Sequence, residues 1–323
     1  MNKTDIKKEL IGFLKKKGDE FVSGEEISSK LGFTRASVWK YMKKLKEEGF
    51  LIEAVPRRGY KLKKTPDKLY AYNVQDTLLT KVIGKEKIFH YDTLSSTNDK
   101  AYELAEDGEG EGTIIIAETQ TNGKGRRGRK WVSPKGDGLY FSIILRPDTE
   151  VSEVAAITLV AAISTARAIK NFADLETKIK WPNDLLLNGR KICGILTEIK
   201  AEPDKIDFLV LGIGLNVNTT EDKLPPEGTS LREEGKKRID RNMMLRALLE
   251  EFEKNYFLFQ AQGFAPLIEE CKNRSSVLGR PVKIEQHNKI ICGEAIDIDE
   301  TGALLVREVS GKVKRIFSGD IWS

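Results

Sequence analysis

Nine consecutive residues near the middle of the chain, Gly123-Lys124-Gly125-Arg126-Arg127-Gly128-Arg129-Lys130-Trp131, hold three glycines and five cations, and they cannot form a core element. Burying that many charges together is prohibitive, so the run is a loop and its neighbours fold around it. Glycines let successive backbone N–H groups point at one anion while lysine and arginine supply full charges, which suits a phosphate or a carboxylate. The spacing is neither that of a Walker A loop nor that of a dinucleotide fingerprint. By composition alone, an RNA-binding basic loop or a solvated turn weighs as much as an anion site.

The flanking residues shift that balance. From residue 87 to 217 β-runs alternate with helices, with strands expected over 114–118, 140–146, 178–181, 185–187, 192–198 and 208–215, which is α/β or α+β material. Upstream of the loop, Ser95-Ser96-Thr97-Asn98 stands before a helix over 99–105, and Gln120 ends the strand that feeds the glycines. These groups can hydrogen-bond a compact polar ring, although Ser-Thr-Asn is also an ordinary N-cap. Downstream come Lys180-Trp181-Pro182-Asn183-Asp184, the hairpin signal Asn188-Gly189, and then Lys191 and Gly194. The turn puts Lys191 near the top of a strand, and Gly194 admits a close approach to the backbone. A lysine beside a turn is by itself usually just solvated. In Gly212-Ile213-Gly214-Leu215-Asn216 the two glycines share one face and leave a flat slot for a ring. The most apolar stretch, 154–169, is interrupted by Thr158, Ser164, Thr165 and Arg167 and reads as a buried helix; neither a membrane span nor a secretory leader is expected.

The formal charge of +5 is unevenly spread: residues 1–64 carry 17 Lys and Arg against 9 Asp and Glu, a net +8, and the remainder carries 37 against 40, a net −3. The basic excess favours a polyanion such as DNA. Leu10, Ile11 and Leu14 mark a first helix, and residues 25–31 a second that Gly32 ends. Thr34 then stands as an N-cap, with Val38, Tyr41, Met42 and Leu45 inward and Arg35, Ser37, Lys40 and Lys44 assigned to the outer face. That is a helix-turn-helix pattern. Strands over 50–55 and 60–62, joined by Pro56-Arg57-Arg58-Gly59, add a wing whose arginines suit phosphates; the competing reading is a small charged domain that binds protein. A linker is expected from Lys63 to Pro66, and residues 67–80 as the lead-in to the next domain.

Beyond an amphipathic helix over 240–259, short strands over 282–285, 290–298, 303–309 and 313–317 suggest a small barrel. Cys193, Cys271 and Cys292 are odd in number and widely spaced, which fits free thiols in a reducing, cytoplasmic setting. His90 and His287 are the only histidines, and the lack of a Ser-His or Cys-His pair argues against covalent enzyme catalysis.

The glycine- and arginine-rich loop, the Lys-Trp-Pro-Asn-Asp block, the following lysine and the Gly-x-Gly-x-Asn strand, taken in this order, resemble the biotin protein ligase family. With the winged segment the resemblance is to the bifunctional ligases that are also biotin operon repressors, and it covers nearly the whole chain. It implies an α+β protein with a winged helix-turn-helix over 1–64, a class II synthetase-like catalytic domain over 65–274 and an SH3-like β-barrel over 275–323. It also implies biotin and ATP as substrates, Mg²⁺, a biotin carboxyl carrier protein, operator DNA and a homodimer formed on binding biotinyl-adenylate, with no membrane partner. The resemblance assigns biotin and adenylate contacts to Ser96, Thr97, Asn98, Gln120, Gly123, Lys124, Gly125, Arg126, Arg129, Lys191, Gly194, Gly212, Gly214 and Asn216. Trp131 is expected as an apolar lid, Asn183 and Asp184 near the nucleotide or its Mg²⁺, and Arg126 and Lys191 in catalysis. DNA contacts are expected from Thr34, Arg35, Ser37, Lys40, Lys44, Arg57 and Arg58. One departure stands out: the family usually has arginine where this chain has Lys124, so the charge is kept and bidentate hydrogen bonding is lost. A lipoate ligase and a sensor that binds biotin without chemistry are the rival readings.

Overall fold

The computed structural model describes residues 3–202, 205–286 and 289–322, so His287 lies outside the described residues. Its contacts divide the chain into two units, Met1–Thr77 and Leu78–Ser323. In the first, α1 (Lys3–Lys16), α2 (Gly24–Leu31) and α3 (Arg35–Glu47) precede a hairpin of β1 (Leu51–Val55) and β2 (Gly59–Lys64) and a short α4 (Ala71–Gln75). Ser23 starts α2 by accepting from the Glu26 N–H at 3.0 Å, Gly32 stops it at φ 70°, and Thr34 starts α3 by accepting from the Ser37 N–H at 3.1 Å. Leu10, Ile11, Leu14, Ile27, Val38, Met42 and Leu45 form one core. Tyr72 of α4 joins it, its ring 6.0 Å from that of Phe50 and its hydroxyl 3.0 Å from Glu48. Residues 67–77 therefore belong to this unit, and the break falls after Thr77 rather than at the basic stretch around Lys64.

The second unit is built on a seven-stranded sheet. Its strands are β3 (Ile88–Tyr91), β4 (Ile114–Ala117), β5 (Leu139–Leu145), β6 (Lys178–Lys180), β7 (Asp184–Leu187), β8 (Arg190–Glu202) and β9 (Lys205–Leu215). Their order is β3-β4-β5-β9-β8-β7-β6, with only β3 and β4 parallel. Helix α5 (Thr97–Glu106) lies between β3 and β4 in the chain, and α6 (Val154–Ala173) between β5 and β6. Because strand side chains alternate, Phe208 and Val210 of β9 meet Ala101 and Ala105 of α5 on one face. Thr197, two-faced neighbour of Glu198 on β8, meets Thr158 of α6 at 2.8 Å on the other. Although long and apolar enough to cross a membrane, α6 is a core helix, with Ile157, Leu159, Val160 and Ile163 fully buried.

After α7 (Leu231–Gly235), α8 (Arg241–Gln262) and α9 (Ala265–Arg274), five strands form an antiparallel sheet in the order β13-β12-β11-β10-β14. They are β10 (Pro281–Gln286), β11 (Lys289–Ile298), β12 (Leu304–Glu308), β13 (Val313–Ile316) and β14 (Asp320–Trp322). Trp181, fully buried, donates its indole N–H to the Gly302 carbonyl at 3.0 Å and ties this sheet to β6. Strands β3 and β14 and helix α9 have no counterpart in the sequence expectation. Arg241 at the start of α8 donates to Glu118 at 2.9 Å and to the Gly138 carbonyl at 3.1 Å, with both ionic side chains essentially inaccessible. Removing one partner strands a buried charge, so Arg241→Met should lower the unfolding free energy by about 3–5 kcal/mol in urea denaturation followed by circular dichroism.

Candidate active site

The floor of the site is the β8–β9 ladder, where Gly194 pairs with Gly214 and Leu196 with Gly212. Bare backbone at these positions seats two other groups. A Cβ on Gly212 would fall 1.9 Å from Asn98 Oδ1, and one on Gly214 or Gly194 would meet the Trp131 ring at 2.5 or 3.0 Å. The slot read from the sequence as room for a ligand ring is thus occupied by the protein's own amide and indole. Trp131 is accordingly a cover laid on the glycines rather than a lid standing away from them, because the indole finds there a surface without projecting side chains. Its ring N–H is buried and unpartnered.

Above this floor a cleft of about 730 Å³ is lined by every residue assigned to biotin or adenylate except Gly123, and by Asn183 and Asp184. Gly123 instead forms the neck of the loop, where a Cβ would meet the Trp131 carbonyl at 2.5 Å. The start of α5 supplies the polar wall. Ser96 caps the helix, the Thr97 N–H donates to Gln120 Oε1 at 2.8 Å, and Gln120 Nε2 donates to Ser133 at 3.0 Å. Ser142 lies 2.8 Å from Thr97 Oγ1 and 2.7 Å from Asn98 Oδ1, while Asn98 Nδ2 donates to Glu198 at 2.7 Å.

The glycine-rich segment is a closed turn. The Gly125 N–H bonds the Arg129 carbonyl at 2.7 Å, the Trp131 N–H bonds the Gly123 carbonyl at 2.8 Å, and Arg127 sits at φ 53°, a strained backbone region for a side chain of this size. Lys124, Arg126, Arg127 and Arg129 are paired with carboxylates of other elements. Arg129 lies 2.5 Å from Asp320, Arg127 3.5 Å and Arg126 3.7 Å, and Arg126 also donates to the Gly319 carbonyl at 3.1 Å and to Asn183 Oδ1 at 3.3 Å. Lys124 pairs with Asp99 at the start of α5, which raises the lysine's pKa, and burial lowers that of Arg126. Across the cleft Lys191 is held 2.7 Å from Asp184 and 5.4 Å from the Trp131 ring. Asn216 donates to the Thr229 carbonyl at 3.0 Å and leaves its own carbonyl oxygen buried without a partner.

The sequence pattern missed Asp320, Asp99, Ser133 and Ser142. An aspartate in a terminal strand carries no local mark of pairing with a loop some 190 residues earlier, and a serine inside a strand, like Ser142, or in the irregular stretch after the loop, like Ser133, looks like an ordinary position. Among the described residues no three His, Cys, Asp or Glu side chains cluster as a metal cage. Cys193, next to Gly194 in β8, does not line the cleft; it is fully buried and its thiol is pushed well above the usual range by that burial, which disfavours the thiolate a nucleophile needs.

Residues 91–216 match the Biotin/lipoate A/B protein ligase family, residues 7–61 an HTH domain and residues 277–322 the Biotin protein ligase C terminal domain. The bifunctional ligase/repressor BirA of Bacillus subtilis is 39% identical over 99% of both chains. The chain belongs to the biotin protein ligase family. The BirA of Escherichia coli K12 is 33% identical over 94% of this ligase and 92% of its own chain. Biotin protein ligase from Aquifex aeolicus in complex with biotin and ATP has 30% identity and a TM-score of 0.63, covering 73% of this chain and 98% of that one.

The helix-turn-helix residues are distributed differently from the sequence expectation. Thr34 and the half-buried Ser37 bond each other as the α3 cap. Lys44 is half-buried with its ammonium 5.5 Å from the Tyr41 ring. The exposed residues of α3 are Arg35, Ala36, Trp39, Lys40, Lys43, Lys46 and Glu47, because at about 3.6 residues per turn the side opposite Val38, Met42 and Leu45 passes through 36, 40, 43 and 47. Arg35 pairs with Glu25 at 2.7 Å, Arg57 turns the wing tip at φ 64°, and Arg58 lies 4.3 Å from the Phe21 ring. Within the ligase's cleft, Asp320→Asn leaves three arginines without their shared carboxylate, and hydrogen exchange over residues 123–131 should then speed up by about tenfold or more; unchanged exchange would show that the loop does not depend on that contact.

Proposed function

We propose that this chain joins biotin to ATP as biotinyl-adenylate, transfers the biotinyl group to a lysine of a biotin carboxyl carrier protein, and represses transcription from operator DNA through its N-terminal unit. The observation that carries the reading is a cleft with cations on two sides, Lys124, Arg126 and Arg129 on a glycine-bent turn and Lys191 opposite, above a glycine floor covered by an indole. Such a cleft suits a reaction between two anions that needs alignment and charge neutralisation rather than a protein nucleophile.

In the first step a biotin carboxylate oxygen attacks the α-phosphorus of ATP and pyrophosphate leaves. Lys191 and Arg126 are proposed to neutralise the approaching carboxylate and phosphate. They can do so only by exchanging Asp184 and Asp320 for substrate oxygens. Arg129, Lys124 and the Gly123 and Gly125 backbone would close the turn over the product, and Trp131 would keep water from the anhydride. Ser96, Thr97, Asn98 and Gln120 would bind the polar ring of biotin, with Gly194, Gly212 and Gly214 seating the Asn98 amide and the Trp131 indole that border it. Asn216, with an unpartnered carbonyl oxygen, would accept from the nucleotide. Asp184 and Asn183 fit Mg²⁺, which binds through one or two carboxylates plus substrate phosphates and would offset phosphate charge when bound. In the second step the carrier's lysine amine attacks the biotinyl carbonyl and AMP leaves.

The reading includes a cytoplasmic site of action, supported by three free cysteines, and a homodimer favoured by the adenylate acting as corepressor. Arg126→Ala and Lys191→Ala should each cut biotin-dependent pyrophosphate release by about 10²–10³-fold, with carrier labelling on avidin blots falling in step. Labelled lipoate offered with MgATP should give no acyl-adenylate, and its activation in preference to biotin would reverse the substrate assignment. Sedimentation should show a larger mass with biotin and MgATP than without, and an unchanged mass would count against the corepressor dimer.

A further inference from the structure

Helix α3 carries a tryptophan on its outside. Trp39 is 62% exposed, whereas large aromatic side chains are normally mostly covered because they bury so much apolar area. The core fixes which way the helix faces: Val38 and Met42 are buried, so Ala36, Trp39, Lys40 and Lys43 share the outward side, with Arg35 exposed at the first turn. An indole and a methyl group are thus set among three cations, on the second helix of the helix-turn-helix pair, the third helix of the segment that matches an HTH domain. In such a domain this helix lies in the major groove with its N-terminal residues against the base edges. The cations suit the phosphates on either side. The apolar centre suits the one apolar group a base pair displays there, the thymine 5-methyl. Charge argues against a protein partner, since residues 1–64 are net +8 and duplex DNA is the dense polyanion they complement.

We infer that Trp39 is a specificity-determining residue that packs on thymine methyls of the operator, with Ala36 leaving room for that approach and Lys40 and Lys43 contacting the flanking phosphates. This rests on the repressor reading, and the test separates the two. Full-length wild type and Trp39→Ala, each with biotin and MgATP, are used to select from a pool of random duplexes, and binding is then measured on the wild-type consensus with single thymines replaced by deoxyuridine, which removes only the methyl. Trp39→Ala should weaken binding to the consensus by about tenfold or more, as expected for one good base contact, while affinity for unselected duplex changes less than about twofold because phosphate contacts remain. At one or two positions deoxyuridine should weaken wild type and leave Trp39→Ala unaffected. Trp39→Phe should retain part of the preference, carrier biotinylation by Trp39→Ala should match wild type, which shows that the catalytic unit is intact, and the retained affinity for unselected duplex shows that the N-terminal unit is folded. Equal consensus and affinity for both proteins, or a wild type indifferent to every deoxyuridine, would overturn the inference alone. So would a Trp39→Ala change confined to sedimentation mass, which would make Trp39 a contact between copies. A wild type that selects no consensus would overturn the repressor reading and this inference with it.

Discussion

The antiparallel register between β8 and β9 is the constraint on which the site depends. Because Gly194 faces Gly214 and Leu196 faces Gly212, a patch of bare backbone opens on the face that α5 covers further along the strands. A slip of one residue would present Ile195 and Ile213 instead and turn the glycines toward α6. The same register puts Lys191 at the β8 end nearest the patch and Asn216 just past the end of β9, so floor, cation and amide are positioned by one ladder. Asn98 and Trp131 arrive from elements far apart in sequence, yet each is located by contact with a glycine of that floor.

The second organising fact is that the cleft's named cations are neutralised by the protein itself. Lys124 has Asp99, Lys191 has Asp184, and three arginines share Asp320. Clustered cations repel, and in a partly dry cleft that repulsion is costly. Carboxylates supplied from α5, β7 and β14 relieve it while the turn waits. An entering anion therefore replaces existing partners, and weakly charged molecules have little to offer in exchange.

Much of this was legible in the sequence. Strands over 114–118 and 140–146 stand within a residue of those observed, and the strand over 208–215 ends where expected but starts three residues earlier, at Lys205, since apolar runs and turn residues are local signals. The buried character of 154–169 was legible for the same reason. The first-unit boundary was not, because Lys63 to Pro66 look like a linker and nothing local says that Tyr72 returns to the core beside Phe50. The outer face of α3 was misread by one position at Lys44 and passed over at Trp39, since a pattern of charges shows where polarity is allowed but not which apolar residue the core leaves out. At the cleft the contributing segments were visible through their glycines and cations. Their carboxylate partners were not, because a salt bridge across 190 residues of chain leaves no periodicity behind.

The bond from the Trp181 indole to the Gly302 carbonyl has a consequence for how the molecule can be divided. The Lys-Trp-Pro-Asn-Asp block reads as site chemistry, but its tryptophan is an anchor sunk between two sheets. With Arg126 resting on the Gly319 carbonyl and Arg129 on Asp320, the last fifty residues complete the interior of the catalytic sheet and are no detachable appendage. A chain cut before β10 would expose an indole-sized hollow and unclasp the loop at once, so the two sheets should melt in a single cooperative step.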